Sequence, residues 1–156
     1  MEAELLVGLK IPDATAITAF HALERMGYKL KAFERMDYYK FNFSGYFSNF
    51  SRKIAGVDVL VNANKHKAIV KRTDEKFSRE NSNEIFVLVK DIGKNTGLLG
   101  TLRNRLGLRE ITDLVKGTLW KLVFPSEINA DDARKTANEI AEKLLANVNY
   151  QEFSVF

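Results

Sequence analysis

Glu84-Ile85-Phe86-Val87-Leu88-Val89-Lys90 restates, eighty residues on, the pattern of Glu4-Leu5-Leu6-Val7-Gly8-Leu9-Lys10. Each reads as a strand that begins on a glutamate and ends on a lysine. An internal repeat sets the fold, so the match is followed outward first. After the first strand, Pro12-Asp13 opens a helix with Ala16, Ile17, Phe20 and Leu23 on its apolar side and Gly27 at its end. After the second, Asn95 caps a helix carrying Leu99, Leu102 and Leu106 and closed by Gly107. Met26-Gly27-Tyr28 therefore matches Leu106-Gly107-Leu108, again eighty residues apart.

Long extended stretches follow, residues 30–43 and 111–124, at an offset of eighty-one. Strand alternation puts Tyr39, Phe41 and Phe43 on one face, and Trp120, Leu122 and Phe124 on its equivalent. Lys40 and Lys121 then fall on the opposite face. Gly117 interrupts the second stretch and predicts a bulge or a break into a strand pair. The back halves differ more. Ala133, Ala137, Ile140, Ala141 and Leu144 form one helical stripe, capped by Asn129, with Asp131 and Asp132 in the first turn, where carboxylates suit the helix dipole. Asn147 is the expected left-handed stop, and Tyr150 to Phe156 is a short strand. In the first copy, Tyr46 to Ile54, between Gly45 and Gly56, reads as a reduced helix, and residues 62–70 as the matching last strand.

The expected fold is α+β: two tandem two-layer ferredoxin-like repeats of β-α-β-β-α-β type. The boundaries are 1–70 for the first repeat, with its shortened second helix, 71–83 for a charged linker, and 84–156 for the second repeat. The first strand of each copy is apolar on both faces: Leu5, Val7 and Leu9 against Leu6 in one, with Phe86 and Leu88 on the extra face of the other. One face can cover helices. The other needs a second cover, and a sheet-against-sheet intramolecular pseudo-dimer supplies it.

Composition narrows the chemistry. With no cysteine among 156 residues, disulfides, thiol catalysis and thiolate metal sites are excluded. The start Met1-Glu2-Ala3-Glu4 lacks the basic segment of a signal peptide and no apolar run reaches membrane length, so a cytoplasmic protein without membrane partners is expected. Between Asn64 and Arg79, Lys65, Lys67, Lys71, Arg72, Lys76 and Arg79 outnumber Asp74 and Glu75 by four, which equals the chain's net charge of +4. The remainder is balanced. That stretch, with Tyr38, Tyr39, Phe41 and Phe43 as a stacking surface, would suit RNA. The same aromatics occupy core phase in the other copy, so nucleic acid is not the expected partner. His21 and His66 have no matched spacing for a metal. Gly93-Lys94-Asn95-Thr96-Gly97 lacks the spacing of a phosphate loop. No catalytic, cofactor or metal set is expected.

The element order, the strand 84–90, the run Ile111-Thr112-Asp113-Leu114-Val115-Lys116-Gly117, the glycine-ended first helix and the ending Glu142-Lys143-Leu144-Leu145-Ala146-Asn147 resemble the PurS family. The resemblance covers residues 83–156, and residues 3–70 more weakly through the repeat. This chain has Val148 where the family has a proline, and two units where the family has one per chain. PurS is the small subunit of phosphoribosylformylglycinamidine synthase, the formylglycinamide ribonucleotide amidotransferase of purine biosynthesis. The resemblance implies a non-catalytic scaffold that bridges the large ATP-dependent synthetase subunit and the glutaminase subunit of this C–N bond-forming ligase. A fused pair would supply the dimer in one chain, with further homo-dimerisation open. Arg109, Lys116 and Lys121, on the outward side of the second long strand and its turn, are the expected partner contacts. A small-molecule-sensing module and an RNA-binding module remain as alternatives.

Overall fold

The alternating and helical patterns fold into ten elements. The computed structural model describes residues 1–156 except Ser78 and Glu80. Its elements are β1 (Glu2–Leu9), α1 (Ala14–Arg25), β2 (Ala32–Phe43), α2 (Phe47–Ile54), β3 (His66–Arg72), β4 (Glu84–Asp91), α3 (Thr96–Gly100), β5 (Ile111–Val123), α4 (Ala130–Ile140) and β6 (Gln151–Val155). α3 and α4 each run on into a π-helical segment, Thr101–Arg105 and Ala141–Leu145. The fold is α+β, and the order β-α-β-α-β occurs twice. The strands hydrogen-bond in the order β3-β1-β2-β5-β4-β6. β1 lies antiparallel to β2, with Leu5 opposite Tyr39, and to β3, with Leu5 opposite Val70. β4 lies antiparallel to β6, with Val89 opposite Phe153.

β2 and β5 are unbroken strands of 12 and 13 residues, so the break expected at Gly117 does not occur. The phase change lies earlier: Ile111 and Leu114, three residues apart, are buried in the same cluster. An odd spacing on one face requires an extra residue in the strand.

Two compact units divide the chain. Unit 1 comprises Met1–Lys10, Asp37–Lys76 and Gly93–Gly117; unit 2 comprises Ile11–Met36, Phe77–Ile92 and Thr118–Phe156. Both long strands are shared out, β2 between Met36 and Asp37 and β5 between Gly117 and Thr118. Among the described residues each unit thereby holds four strand segments and two helices, the complement of a β-α-β-β-α-β fold, drawn from both halves of the chain.

In unit 1, Phe50 and Ile54 of α2 and Leu102 beyond α3 bury against Leu5, Val7, Tyr39, Phe41 and Phe43. Phe50 stacks on Phe43 at 4.0 Å between centroids and meets Phe41 edge-on. In unit 2, Leu23 of α1 and Ala133, Ala137 and Ile140 of α4 bury against Ile85, Val87, Val89, Trp120, Leu122 and Phe124. The alternation read from β2 and β5 holds, and Lys40 and Lys121 on the opposite face pair with Glu2 and Glu84. The second faces of β1 and β4 are buried too, at Leu6, Phe86 and Leu88, but the expected packing of one repeat's sheet against the other's is not found: all six strands belong to a single sheet, because the two long strands continue it. Within unit 2, Phe77 and Phe156 close on Phe86. Phe77 lies in the stretch read as a linker, of which Lys71 and Arg72 belong to β3 and two residues, Ser78 and Glu80, lie outside the described residues.

Helix details depart from the pattern in traceable ways. Asp13 caps α1 through Thr15 and Ala16, but Ile17, assigned to the core side, is exposed. Asn95 stands at the start of α3 without making a side-chain cap bond. Leu144 is also exposed, and Leu145 packs on the unit 2 core instead. The π-helical segment widens the turn after Ile140 and shifts the inward phase by one residue. Leu106, past the equivalent segment, is exposed for the same reason. Asn147 is not left-handed, since among the described residues no non-glycine residue has positive φ. α4 ends through extended Ala146, and the Asn147 side chain accepts from the Asn149 N–H.

Candidate functional site

Gly27 and Gly107 end the first helix of each copy in left-handed conformations, φ 93° and 73°, which glycine adopts without a Cβ penalty. Each turn forms one wall of a cleft. In unit 1, Leu106, Gly107 and Leu108 face Lys53 and the Gly56–Val59 turn after α2, around about 490 Å³. In unit 2, Gly27, Tyr28 and Lys29 face Phe124, Pro125, Glu127, Ile128 and the α4 residues Thr136 and Glu139, around about 510 Å³.

The two clefts differ in chemistry. Beside the first, Lys53 bonds the Glu110 carboxylate at 3.1 Å. Burial works against that carboxylate, but its own backbone N–H and the Lys53 ammonium outweigh burial and hold its pKa below the ordinary value. Arg105 and Arg109 flank the lining stretch and are exposed. At the second cleft, Glu139 and Lys143 bond at 2.8 Å, and the Lys143 ammonium lies 5.9 Å from the centre of the Tyr28 ring. That bond lowers the Glu139 pKa and raises the Lys143 pKa.

Of the expected contact residues, Arg109 sits in the turn before β5 and Lys116 within β5, both exposed and both in unit 1. Lys121 belongs to unit 2, is half-buried, and lies 3.4 Å from the Glu84 carboxylate. It is therefore less open to a partner than the other two.

Other groups singled out in the sequence are held by the fold. His66 accepts the Asn62 N–H at Nδ1, and His21 is exposed beside Phe20. Tyr38, Tyr39, Phe41 and Phe43 are all buried, so the base-stacking surface is not available. Buried Glu4 accepts from the Tyr38 hydroxyl at 2.9 Å and pairs with buried Lys71. Burial, and after it the Glu4 charge, push the Tyr38 pKa far above its usual value. Asp13, besides capping α1, takes a two-pronged bond from Arg35, 2.9 and 3.2 Å. Burial raises its pKa, but Arg35 and the capped N–H groups outweigh that and lower it. Among the described residues no group of three or more His, Cys, Asp or Glu side chains stands ready to hold a metal, and no helix is long and apolar enough to cross a membrane.

The cleft linings escaped the sequence reading. Gly27 and Gly107 marked helix ends, but nothing in the pattern said which later residues would face them.

The architecture defines an α+β protein of two interleaved units, each with a cleft beside a helix-ending glycine. No family model matches the chain, and no curated protein matches it. A solved structure described as a putative glycine cleavage system transcriptional repressor is 14% identical, with 99% of this chain and 95% of that chain covered, at a TM-score of 0.24. A likeness at that score carries no argument for fold or function.

Proposed function

We propose that the chain is a non-catalytic assembly subunit. In its most specific form it is the PurS-like scaffold of a cytoplasmic phosphoribosylformylglycinamidine synthase, bridging the ATP-dependent synthetase and the glutaminase. The supporting observation is the interleaving. One element order occurs twice, and both occurrences contribute segments to both compact units, so the two form one integrated assembly within a single chain. The short motifs of residues 83–156 supply the specific form of the reading, and Arg109 and Lys116 are its best-exposed candidate contacts.

The test is a pull-down with the tagged chain from its own cell extract, with glutamine and magnesium-ADP present. Recovery of both a large synthetase and a glutaminase is the expected result. Recovery of neither refutes the specific role. Charge reversal of Arg109 and Lys116 should weaken synthetase binding, with a smaller effect for Lys121, which Glu84 already holds.

Small-molecule sensing is the second reading, favoured by the cleft around Tyr28. It predicts that an amino acid or nucleotide raises the melting temperature by several degrees. The RNA-binding reading keeps its charge but loses its aromatic platform.

A further inference from the structure

Charge is not spread evenly over the two units. Unit 1 holds 14 Lys and Arg against 8 Asp and Glu, a net of +6, while unit 2 holds 10 against 12, a net of −2. Part of the unit 1 excess lies in the stretches that flank its cleft. Arg52 and Lys53 end α2, Arg103 and Arg105 end the segment beyond α3, and Arg109 follows the lining turn. Asp58 and Glu110 are the acidic residues among them, and Lys53 holds Glu110.

Basic residues in a last helical turn suit the helix dipole, which accounts for four of these cations. It does not account for Arg109, nor for what lies between the cations. Val59 is 54% exposed and Leu106 46% exposed, and both line the cleft with Leu108. Lys53 and Asp58 are the charged lining residues, and the exposed Arg105 and Arg109 stand next in sequence to the lining residues Leu106 and Leu108. An aliphatic lining flanked by two exposed arginines is complementary to one kind of occupant, a segment that carries apolar and acidic side chains together. An RNA strand would pair with the arginines but would leave the aliphatic lining unused, because bases stack on aromatic rings.

We propose that the unit 1 cleft docks an acidic, leucine-bearing segment of a protein partner, with Leu106 and Val59 receiving the apolar side chain and Arg105 and Arg109 engaging its carboxylates. The proposal rests on the reading of the chain as an assembly subunit and names the chemistry of the partner it organises.

The probe is a fluorescein-labelled twelve-residue peptide of alternating Glu-Glu and Leu-Leu pairs, measured by polarisation against the full chain, beside the same peptide with lysine for glutamate. The expected result is saturable binding of the glutamate peptide at micromolar concentration and none of the lysine peptide. The double variant Arg105→Glu/Arg109→Glu should weaken binding about tenfold, and Leu106→Ser several-fold. Lys65→Glu/Lys67→Glu makes the same change in net charge on exposed residues of unit 1 and should leave affinity within about twofold. Equal weakening by that control overturns the proposal in favour of bulk charge, as does absence of binding. Displacement of the peptide by a uridine-rich oligonucleotide that binds more tightly, with the same Arg105 and Arg109 dependence, overturns it in favour of RNA.

The pull-down separates this proposal from the reading beneath it. If the Arg105→Glu/Arg109→Glu chain still recovers synthetase and glutaminase in full, the cleft proposal fails and the scaffold reading stands. If the peptide behaves as expected but neither subunit is recovered, the scaffold reading fails and the cleft stands.

Discussion

Because each unit draws on both halves of the chain, neither sequence half should fold alone as a monomer. Take a fragment of residues 1–76. The unit 1 core takes Leu102, Leu108, Ile111 and Leu114 from beyond it, all buried. Burying one such side chain is worth about 1.5–3 kcal/mol. The four together amount to about 6–12 kcal/mol, which matches the whole net stability of a domain, about 5–15 kcal/mol. The fragment also strands α1, whose fully buried Leu23 packs in the unit 2 cluster with Ile85, Trp120 and Ile140, none of which the fragment contains. Near-ultraviolet circular dichroism and thermal melts of fragments 1–76 and 77–156, with light scattering to fix their mass, provide the assay. Each fragment alone should lack a cooperative transition as a monomer, and a one-to-one mixture should recover the spectrum of the intact chain. Folding of one fragment at high concentration as a homodimer is compatible with the reasoning, since a second copy supplies equivalent segments. A cooperative melt of monomeric 1–76, with a midpoint independent of concentration, would refute it.

Three further outcomes follow from particular residues. Ile140→Ala should cost about 2–5 kcal/mol in urea unfolding, and Leu144→Ala about 0.5 kcal/mol or less; equal costs would mean the π-helical phase shift is absent. Asp13→Ala should cost about 1 kcal/mol at neutral pH through the lost cap. Because the Asp13 pKa lies below the ordinary 3.8, the stabilisation is present above 3.8, and the gap to wild type should close as pH falls below 3.8 and through the lowered folded pKa. Tyr38, with a folded pKa raised above 10.0, stays protonated where the unfolded chain ionises. Wild-type stability should therefore fall as pH rises past 10.0, less steeply in Tyr38→Phe, and parallel melting curves for the two across that range would exclude the effect.

What the sequence made legible was local. Period-two alternation assigned the inward faces of β2 and β5 correctly because strand geometry leaves no freedom there. Gly27 and Gly107 were readable as helix ends because glycine alone takes positive φ without a Cβ penalty, and both adopt it. Helix phase failed at Leu144 and Leu106, where a π-helical turn departs from the 3.6-residue period and leaves no mark in the composition. The partition of the chain was not legible either. β2 crosses from one unit to the other between Met36 and Asp37, inside one continuous strand. A strand shared between two units and a strand within one have the same alternation. The expected contact residues suffered similarly: exposure at Arg109 and Lys116 follows from charge, whereas the pairing of Lys121 with Glu84 is tertiary.

The two clefts share one wall and differ in the rest. Their glycine walls are equivalent, Gly27-Tyr28 and Gly107-Leu108, because both sit at the end of the first helix of a copy. Their other surroundings are not. One is lined by aliphatic side chains with Arg105 and Arg109 next to them in sequence, the other combines a tyrosine ring with the Glu139–Lys143 pair. Core packing explains the shared wall, since the helix must end there for the chain to re-enter the sheet. Packing explains neither the exposed Val59 and Leu106 nor the charge imbalance between the units, because exposed side chains contribute little to stability. If Leu106→Ser leaves the melting temperature unchanged while weakening the acidic peptide several-fold, the difference between the clefts is one of recognition rather than of folding. A loss of stability in that variant, with unchanged peptide affinity, would assign the divergence to packing instead.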